Sequence, residues 1–160
     1  QIVAFLNDEL MKRLRKSEKE QVLKDSMDIA VCIFDKETYK LDYTGALIPI
    51  FIQSNGVLNE IKPDYITLGT SFEKETKAFT INSFKLIAGD WIYLATDGYF
   101  DQLGGPQNKK FMRSRFREMI SRVNHLPGYE QREMIEKEFL LWMGKNEQID
   151  DVLVWGIKIK

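Results

Sequence analysis

Apolar residues recur along this chain with two periods, and the change from one to the other marks out its elements. Ile2, Val3, Leu6, Leu10 and Leu14 fall at helical spacing, with Asp8 and Glu9 early and Lys12, Arg13, Arg15 and Lys16 late. The spacing predicts an amphipathic packing helix over 1–16 whose charge order suits the helix dipole. A polar linker follows over 17–24. From Met27 the period falls to two: Met27, Ile29, Val31 and Ile33 share one face of a strand, and Ala30, Cys32 and Phe34 share the other. Asp35-Lys36-Glu37-Thr38 is a turn. Tyr39, Leu41 and Tyr43 then alternate with Lys40, Asp42 and Thr44, the pattern of a strand with one wet face. Gly45-Ala46 is expected to break that strand, and Pro49 to Gln53 to begin the next. Ser54-Asn55-Gly56 is the strongest hairpin signal, with Val57 to Ile61 returning from it. Residues 27–61 thus read as an antiparallel meander.

Lys62 to Lys74 contains Pro63 and Gly69 and reads as a loop crossing the sheet; Phe79, Ile81 and Phe84 mark a further strand. Trp91 to Thr96 is apolar on both faces, which predicts a strand buried between two layers. It ends in Thr96-Asp97-Gly98, where a carboxylate leaves the sheet as a glycine lets the backbone turn. Such an Asp either caps the adjoining turn or helix or offers hard oxygen ligands to a divalent cation.

Past Asp97 the pattern becomes helical. Met112, Phe116, Met119, Ile120 and Val123 form one stripe; Ile135, Phe139, Trp142 and Met143 form a second that stops at Gly144. Both are core stripes. Gly104-Gly105-Pro106-Gln107-Asn108-Lys109-Lys110 reads as a flexible loop without phosphate-loop spacing. Its two lysines are expected in solvent, a phosphate contact being the alternative. The last apolar strand, Val152 to Ile159, is preceded by Asp150-Asp151. Neighbouring strand residues face opposite ways, so only one of that pair can face a given site.

The 160 residues suffice for one domain with a core, and 44% hydrophobic with 29% charged content is ordinary for a folded protein. The 23 basic and 24 acidic residues leave a net charge of -1. That offers no field of one sign to grip nucleic acid. A single cysteine, Cys32, excludes an internal disulfide and a thiolate-built zinc site, and is expected to be a small buried hydrophobe. The only histidine, His125, falls in the connection between the two helices and is expected to be exposed. No apolar run is long enough to span a bilayer, so direct membrane contact is not expected.

Asp97 closes one strand and Asp150 opens another. In antiparallel neighbours these two carboxylates converge, and converging carboxylates without histidine or thiolate suit Mg²⁺ or Mn²⁺. Pairs of such ions polarise phosphoryl oxygens and activate water.

These segments also resemble a known family. Leu94-Ala95-Thr96-Asp97-Gly98-Tyr99-Phe100-Asp101 is similar to the "(S/T)-D-G-hydrophobic-x-D" signature of the metal-dependent PPM serine/threonine phosphatases, and Asp150-Asp151-Val152-Leu153-Val154 to their C-terminal signature. The SpoIIE-like bacterial branch is the nearest match. Segments similar to Lys24-Asp25-Ser26-Met27-Asp28-Ile29-Ala30, Tyr43-Thr44-Gly45-Ala46 and Phe100-Asp101-Gln102-Leu103-Gly104-Gly105 recur there in the same order.

The resemblance implies an α+β fold, an antiparallel β-sandwich flanked by helices. It implies two Mn²⁺ or Mg²⁺ ions and hydrolysis of phosphoserine or phosphothreonine by metal-activated water. Asp97 and Asp150 would be the catalytic metal ligands, and Asp101 would help hold an additional, weaker ion. Gly98 and Asp151 would support the ligands from behind. The implied setting is a cytoplasmic output domain of a bacterial signalling protein whose parent carries a sensor region, acting on a phosphoprotein such as an anti-sigma-factor antagonist. The family's Asp-x-x-Gly-His-Gly segment is absent from this chain, which opens on Gln1 within a helix. The expectation is therefore a single domain over 1–160, the C-terminal portion of a SpoIIE-like phosphatase domain without its N-terminal strands and weak or inactive by itself. Such a piece can dimerise through an exposed sheet edge. The alternative is a non-catalytic protein-interaction domain with a degenerate phosphatase fold.

Overall fold

The computed structural model describes residues 2–16, 26–69 and 79–160. The linker over 17–24 and residues 70–74 of the expected loop lie outside them. The chain divides into two compact units, one of Gln1–Pro49 with Lys62–Lys85 and one of Ile50–Ile61 with Leu86–Lys160. The fold is α+β with antiparallel sheets and helices, as the alternating periods require.

In the first unit, helix α1 (Ile2–Lys16) precedes strands β1 (Ile29–Asp35) and β2 (Lys40–Ala46), and β5 (Asn82–Lys85) completes an antiparallel sheet of order β1-β2-β5. Val3, Ala46 and Leu68 form its buried core, with Leu6, Leu10, Ile29, Val31 and Phe79 packed against them. Ile2, expected on the buried stripe, is 51% exposed. Leu41 and Tyr43 are buried on β2, as the one-sided alternation predicts. The strand does not break at Gly45, which pairs with Ala30. The Tyr43 side chain folds across Gly45 to donate to the Ile48 carbonyl at 2.6 Å. A Cβ on Gly45 would stand 2.1 Å from the Tyr43 hydroxyl, so glycine serves side-chain passage here and not chain reversal.

In the second unit, β3 (Ile50–Ser54) and β4 (Val57–Ile61) form a hairpin through Asn55 and Gly56, both at positive φ. Strand β6 (Trp91–Ala95) pairs with β3 on one side and with β9 (Val154–Lys158) on the other, giving the order β4-β3-β6-β9. Residues 27–61 are thus not one meander: β1-β2 and β3-β4 are hairpins of separate sheets. Between β6 and β9 lie the short helix α2 (Asp97–Asp101), a hairpin of β7 (Leu103–Gly104) and β8 (Lys109–Lys110), and helices α3 (Arg113–Val123) and α4 (Gly128–Met143). The core of this unit is aromatic: Phe51, Tyr93, Tyr99, Phe100, Phe111, Phe116 and Phe139 are all buried, joined by Met119, Ile120 and Ile135 from the helices. Met112, expected on the α3 stripe, precedes the helix at φ 75° and is 54% exposed. Helix α4 ends at Gly144, whose φ of 60° suits glycine. Among the described residues, no helix is long and apolar enough to cross a membrane.

Candidate metal centre

Strands β6 and β9 are antiparallel neighbours, with Ala95 opposite Val154 and Trp91 opposite Lys158. The C-terminal end of β6 therefore meets the start of β9. The ladder continues one step beyond the regular strands, where the Thr96 N–H donates to the Leu153 carbonyl at 3.0 Å. The Thr96 hydroxyl makes two further bonds at 2.9 Å, donating to the Asp151 carbonyl and accepting from the Leu153 N–H. Thr96 thus fastens the segment that carries Asp150 and Asp151 to the segment that carries Asp97.

Gly98 shows how close the two segments come. A Cβ at this position would lie 2.4 Å from the Asp151 carbonyl oxygen and 3.3 Å from the Asp150 carbonyl carbon. Backbone on both sides leaves no flexible group to yield. Only glycine permits this approach, although Gly98 sits in an ordinary helical conformation and is not needed for the turn itself.

Asp97 is the first residue of α2 and is exposed; Thr96, not Asp97, occupies the capping position. Asp150 and Asp151 are also exposed. The Asp150 carboxylate accepts from the Asp151 N–H at 2.7 Å, and the Asp150 carbonyl accepts from the Gln148 side chain at 2.8 Å. Among the described residues, Asp97 has neither an ion pair nor a hydrogen-bonded partner for its carboxylate. Asp101 differs from the other three carboxylates: Lys110 Nζ donates to it at 2.7 Å.

Two further residues brace these segments: Gln102, which the sequence showed only as part of a family-like segment, and Asn146, which carried no sequence signal. Gln102 is fully buried. Its side-chain amide donates to the carbonyls of Leu103 and Glu147 at 3.1 and 2.9 Å and accepts from the Ile149 N–H at 3.4 Å. It so anchors the run leading to Asp150. Asn146 donates to the Leu103 carbonyl at 3.0 Å and to the Asn108 side chain at 2.8 Å, pinning the β7–β8 hairpin. The expected flexible loop is therefore a fixed hairpin, in which Gly104 and Gly105 lie close against Trp142. His125 is exposed in the connection between α3 and α4, as expected. Cys32 is exposed on β1, against the expectation of a buried hydrophobe; the core of its unit takes Ile29 and Val31 from the opposite face of the strand.

The chemistry of the donors is that of hard oxygen. Carboxylates at adjoining strand ends, without imidazole or thiolate, fit Mg²⁺ or Mn²⁺ in kind. In number they fall short: among the described residues, no group of three or more His, Cys, Asp or Glu side chains is placed to hold a metal ion.

This arrangement of antiparallel sheets and helices matches the fold of PP2C-type phosphatase domains. The SiaA-PP2C domain of Pseudomonas aeruginosa matches with a TM-score of 0.83 at 25% identity, over 98% of this chain and 61% of that one. The phosphatase domain of the cell-fate determinant SpoIIE from Bacillus subtilis matches with a TM-score of 0.60 at 15% identity, over 96% of this chain and 71% of that one. The catalytic domain of the serine/threonine protein phosphatase PstP, in complex with two manganese ions, matches with a TM-score of 0.60 at 17% identity, over 92% of this chain and 64% of that one. No curated protein matches the sequence. The model of the stage II sporulation protein E (SpoIIE) family matches residues 1–160, and the chain belongs to that family.

Proposed function

We propose that residues 1–160 form one domain, the C-terminal part of a metal-dependent phosphatase domain acting on phosphoserine or phosphothreonine in a bacterial signalling protein. The observation that carries this reading is the close approach of Gly98 to the Asp150-Asp151 backbone, which sets two acidic strand ends side by side. Asp97 and Asp150 are assigned as metal ligands and Mn²⁺ or Mg²⁺ as the ion. Asp101 joins a further, weaker ion only in exchange for Lys110. Bound ions of this kind polarise phosphoryl oxygens and lower the pKa of water. The chain's own residues orient and hold. Thr96 and Gly98 keep the Asp151 backbone against the turn behind Asp97, and Gln102 fixes the run into Asp150.

The short donor set supports a piece that is weak or inactive by itself, since a carboxylate pair leaves most of an ion's coordination sphere to water. The same observation favours a second reading, a protein-interaction domain that keeps the fold without turnover. The proposed substrate is a phosphoprotein such as an anti-sigma-factor antagonist, a reading that rests on family membership. Among the described residues, strand β9 lies at the end of its sheet and offers an edge to a second copy.

The test is Mn²⁺-dependent release of phosphate from a phosphoserine peptide. The reading expects slow release that is lost in Asp97→Asn and in Asp150→Asn, with the fold intact by circular dichroism. Release that persists in either variant removes the assignment. Absence of both release and Mn²⁺ binding in the unsubstituted chain decides for the interaction domain.

A further inference from the structure

We propose that Lys110 binds the phosphate group of the substrate through its ammonium, with Asp101 as the positioning residue that holds that ammonium at the site. The proposal deepens the phosphatase reading and rests on it for the nature of the substrate.

Asp97 and Asp101 are the first and last residues of α2, four positions apart. Residues so spaced lie one above the other on the same face of a helix. The Lys110 ammonium, 2.7 Å from Asp101 Oδ2, is therefore tied to the residue one helical turn beyond Asp97. Its backbone is fixed on both sides. Lys110 pairs with Leu103 in the β7–β8 hairpin, and the next two residues are tied down, Phe111 N–H to the Gln102 carbonyl at 3.0 Å and Met112 N–H to the Phe100 carbonyl at 2.8 Å. The hairpin turn is held by Gly105 N–H on the Trp142 carbonyl at 2.8 Å and by Asn146. Lys110 is thus carried on a rigid element.

Electrostatics gives this placement its meaning. Asp97, Asp101, Asp150 and Asp151 gather negative charge at one end of the sheet, and a phosphomonoester dianion is repelled by it. Lys110 brings a fixed positive charge to that end. An ammonium has three donors, and the bond to Asp101 uses one of them. The side chain is 52% exposed, so the others remain open to an incoming anion. Lysine binds phosphate as a point charge of this kind. Lys109, its neighbour in β8, projects to the opposite face of the strand and forms no ion pair among the described residues. It carries the same charge one residue away, which makes it the natural control.

The experiment measures binding of inorganic phosphate to the full chain by isothermal titration with Mg²⁺ present. Lys110→Met is expected to bind phosphate about tenfold more weakly, the loss of one charge-assisted hydrogen bond. Lys110→Arg should stay within about threefold of the unsubstituted chain, because it keeps the charge. Asp101→Asn should fall between them, and Lys109→Met should bind as the unsubstituted chain does. In turnover of a phosphoserine peptide, Lys110→Met should raise KM and leave kcat nearly unchanged. Equal losses in Lys109→Met and Lys110→Met, no loss in Lys110→Met, or no phosphate binding by the unsubstituted chain each overturns the proposal. The phosphatase reading fails separately. Lys110-dependent phosphate binding with neither turnover nor Mn²⁺ binding would retain the anion site and decide for the interaction domain.

Discussion

Strands β1 and β6 are both apolar on their two faces, yet they end in opposite states. In β6, Trp91, Ile92, Tyr93 and Ala95 are all buried. In β1 no residue is fully buried, Cys32 is exposed and Ile33 is 53% exposed. The difference lies in neighbours. Strand β6 is paired on both edges, and its Tyr93 hydroxyl donates to the buried Gln131 side chain of α4 at 2.8 Å. Among the described residues, strand β1 lies at the end of its sheet, with its ladder on β2 and a single further bridge from Ile29 to Leu47. Apolar alternation predicts that a strand forms; its burial is decided by elements distant in sequence. The candidate metal centre grows from the better-held strand, as a site that must fix carboxylates requires.

The contrast can be pressed hardest in the aromatic core behind β6. Phe116 is fully buried on α3, with ring centroids at 5.1 Å from Phe51, 5.2 Å from Phe100 and 5.3 Å from Tyr99. Phe116→Ala should cost about 3–5 kcal/mol in denaturant unfolding. At the junction of β6 and α2, Gly98→Ala should cost about 1–3 kcal/mol, because the added methyl meets backbone that must shift. It should also weaken Mn²⁺ binding, which separates a site effect from plain overpacking. Thr96→Val removes a hydroxyl that makes two bonds at 2.9 Å and should cost about 1–2 kcal/mol, since the Leu153 N–H and Asp151 carbonyl recover part of their bonding from water. On β1 the expected effect is smallest: Ile33→Thr should change stability by less than about 0.5 kcal/mol. An Ile33→Thr cost equal to that of Phe116→Ala would erase the comparison.

The elements that sequence pattern revealed are those with many repeats of one period. The α3 and α4 stripes and the doubly apolar strand over 91–96 are of this kind, while the Asn55-Gly56 hairpin was marked by its turn residues. The pairing of β6 with β9 stood in the sequence only as a condition, under which Asp97 and Asp150 would converge; the structure supplies the pairing. Three features were not legible, for separate reasons. Gly45 reads as a strand break, whereas it makes room for the Tyr43 ring, a purpose visible only in three dimensions. The β7–β8 hairpin has strands of two residues, too short to show a period. Gln102 acts through backbone carbonyls and amides, which leave no trace in the identity of their residues.

Asp97 and Asp150 are proposed to act as one centre. A Mn²⁺ titration followed by electron paramagnetic resonance, on the unsubstituted chain and on Asp97→Asn and Asp150→Asn, tests this most directly. Each single substitution should weaken the same Mn²⁺ site by about tenfold or more, given that even groups behind a metal's ligands carry effects of that size. The double variant should be little worse than either. Mn²⁺ binding unchanged in either single variant would contradict the shared centre.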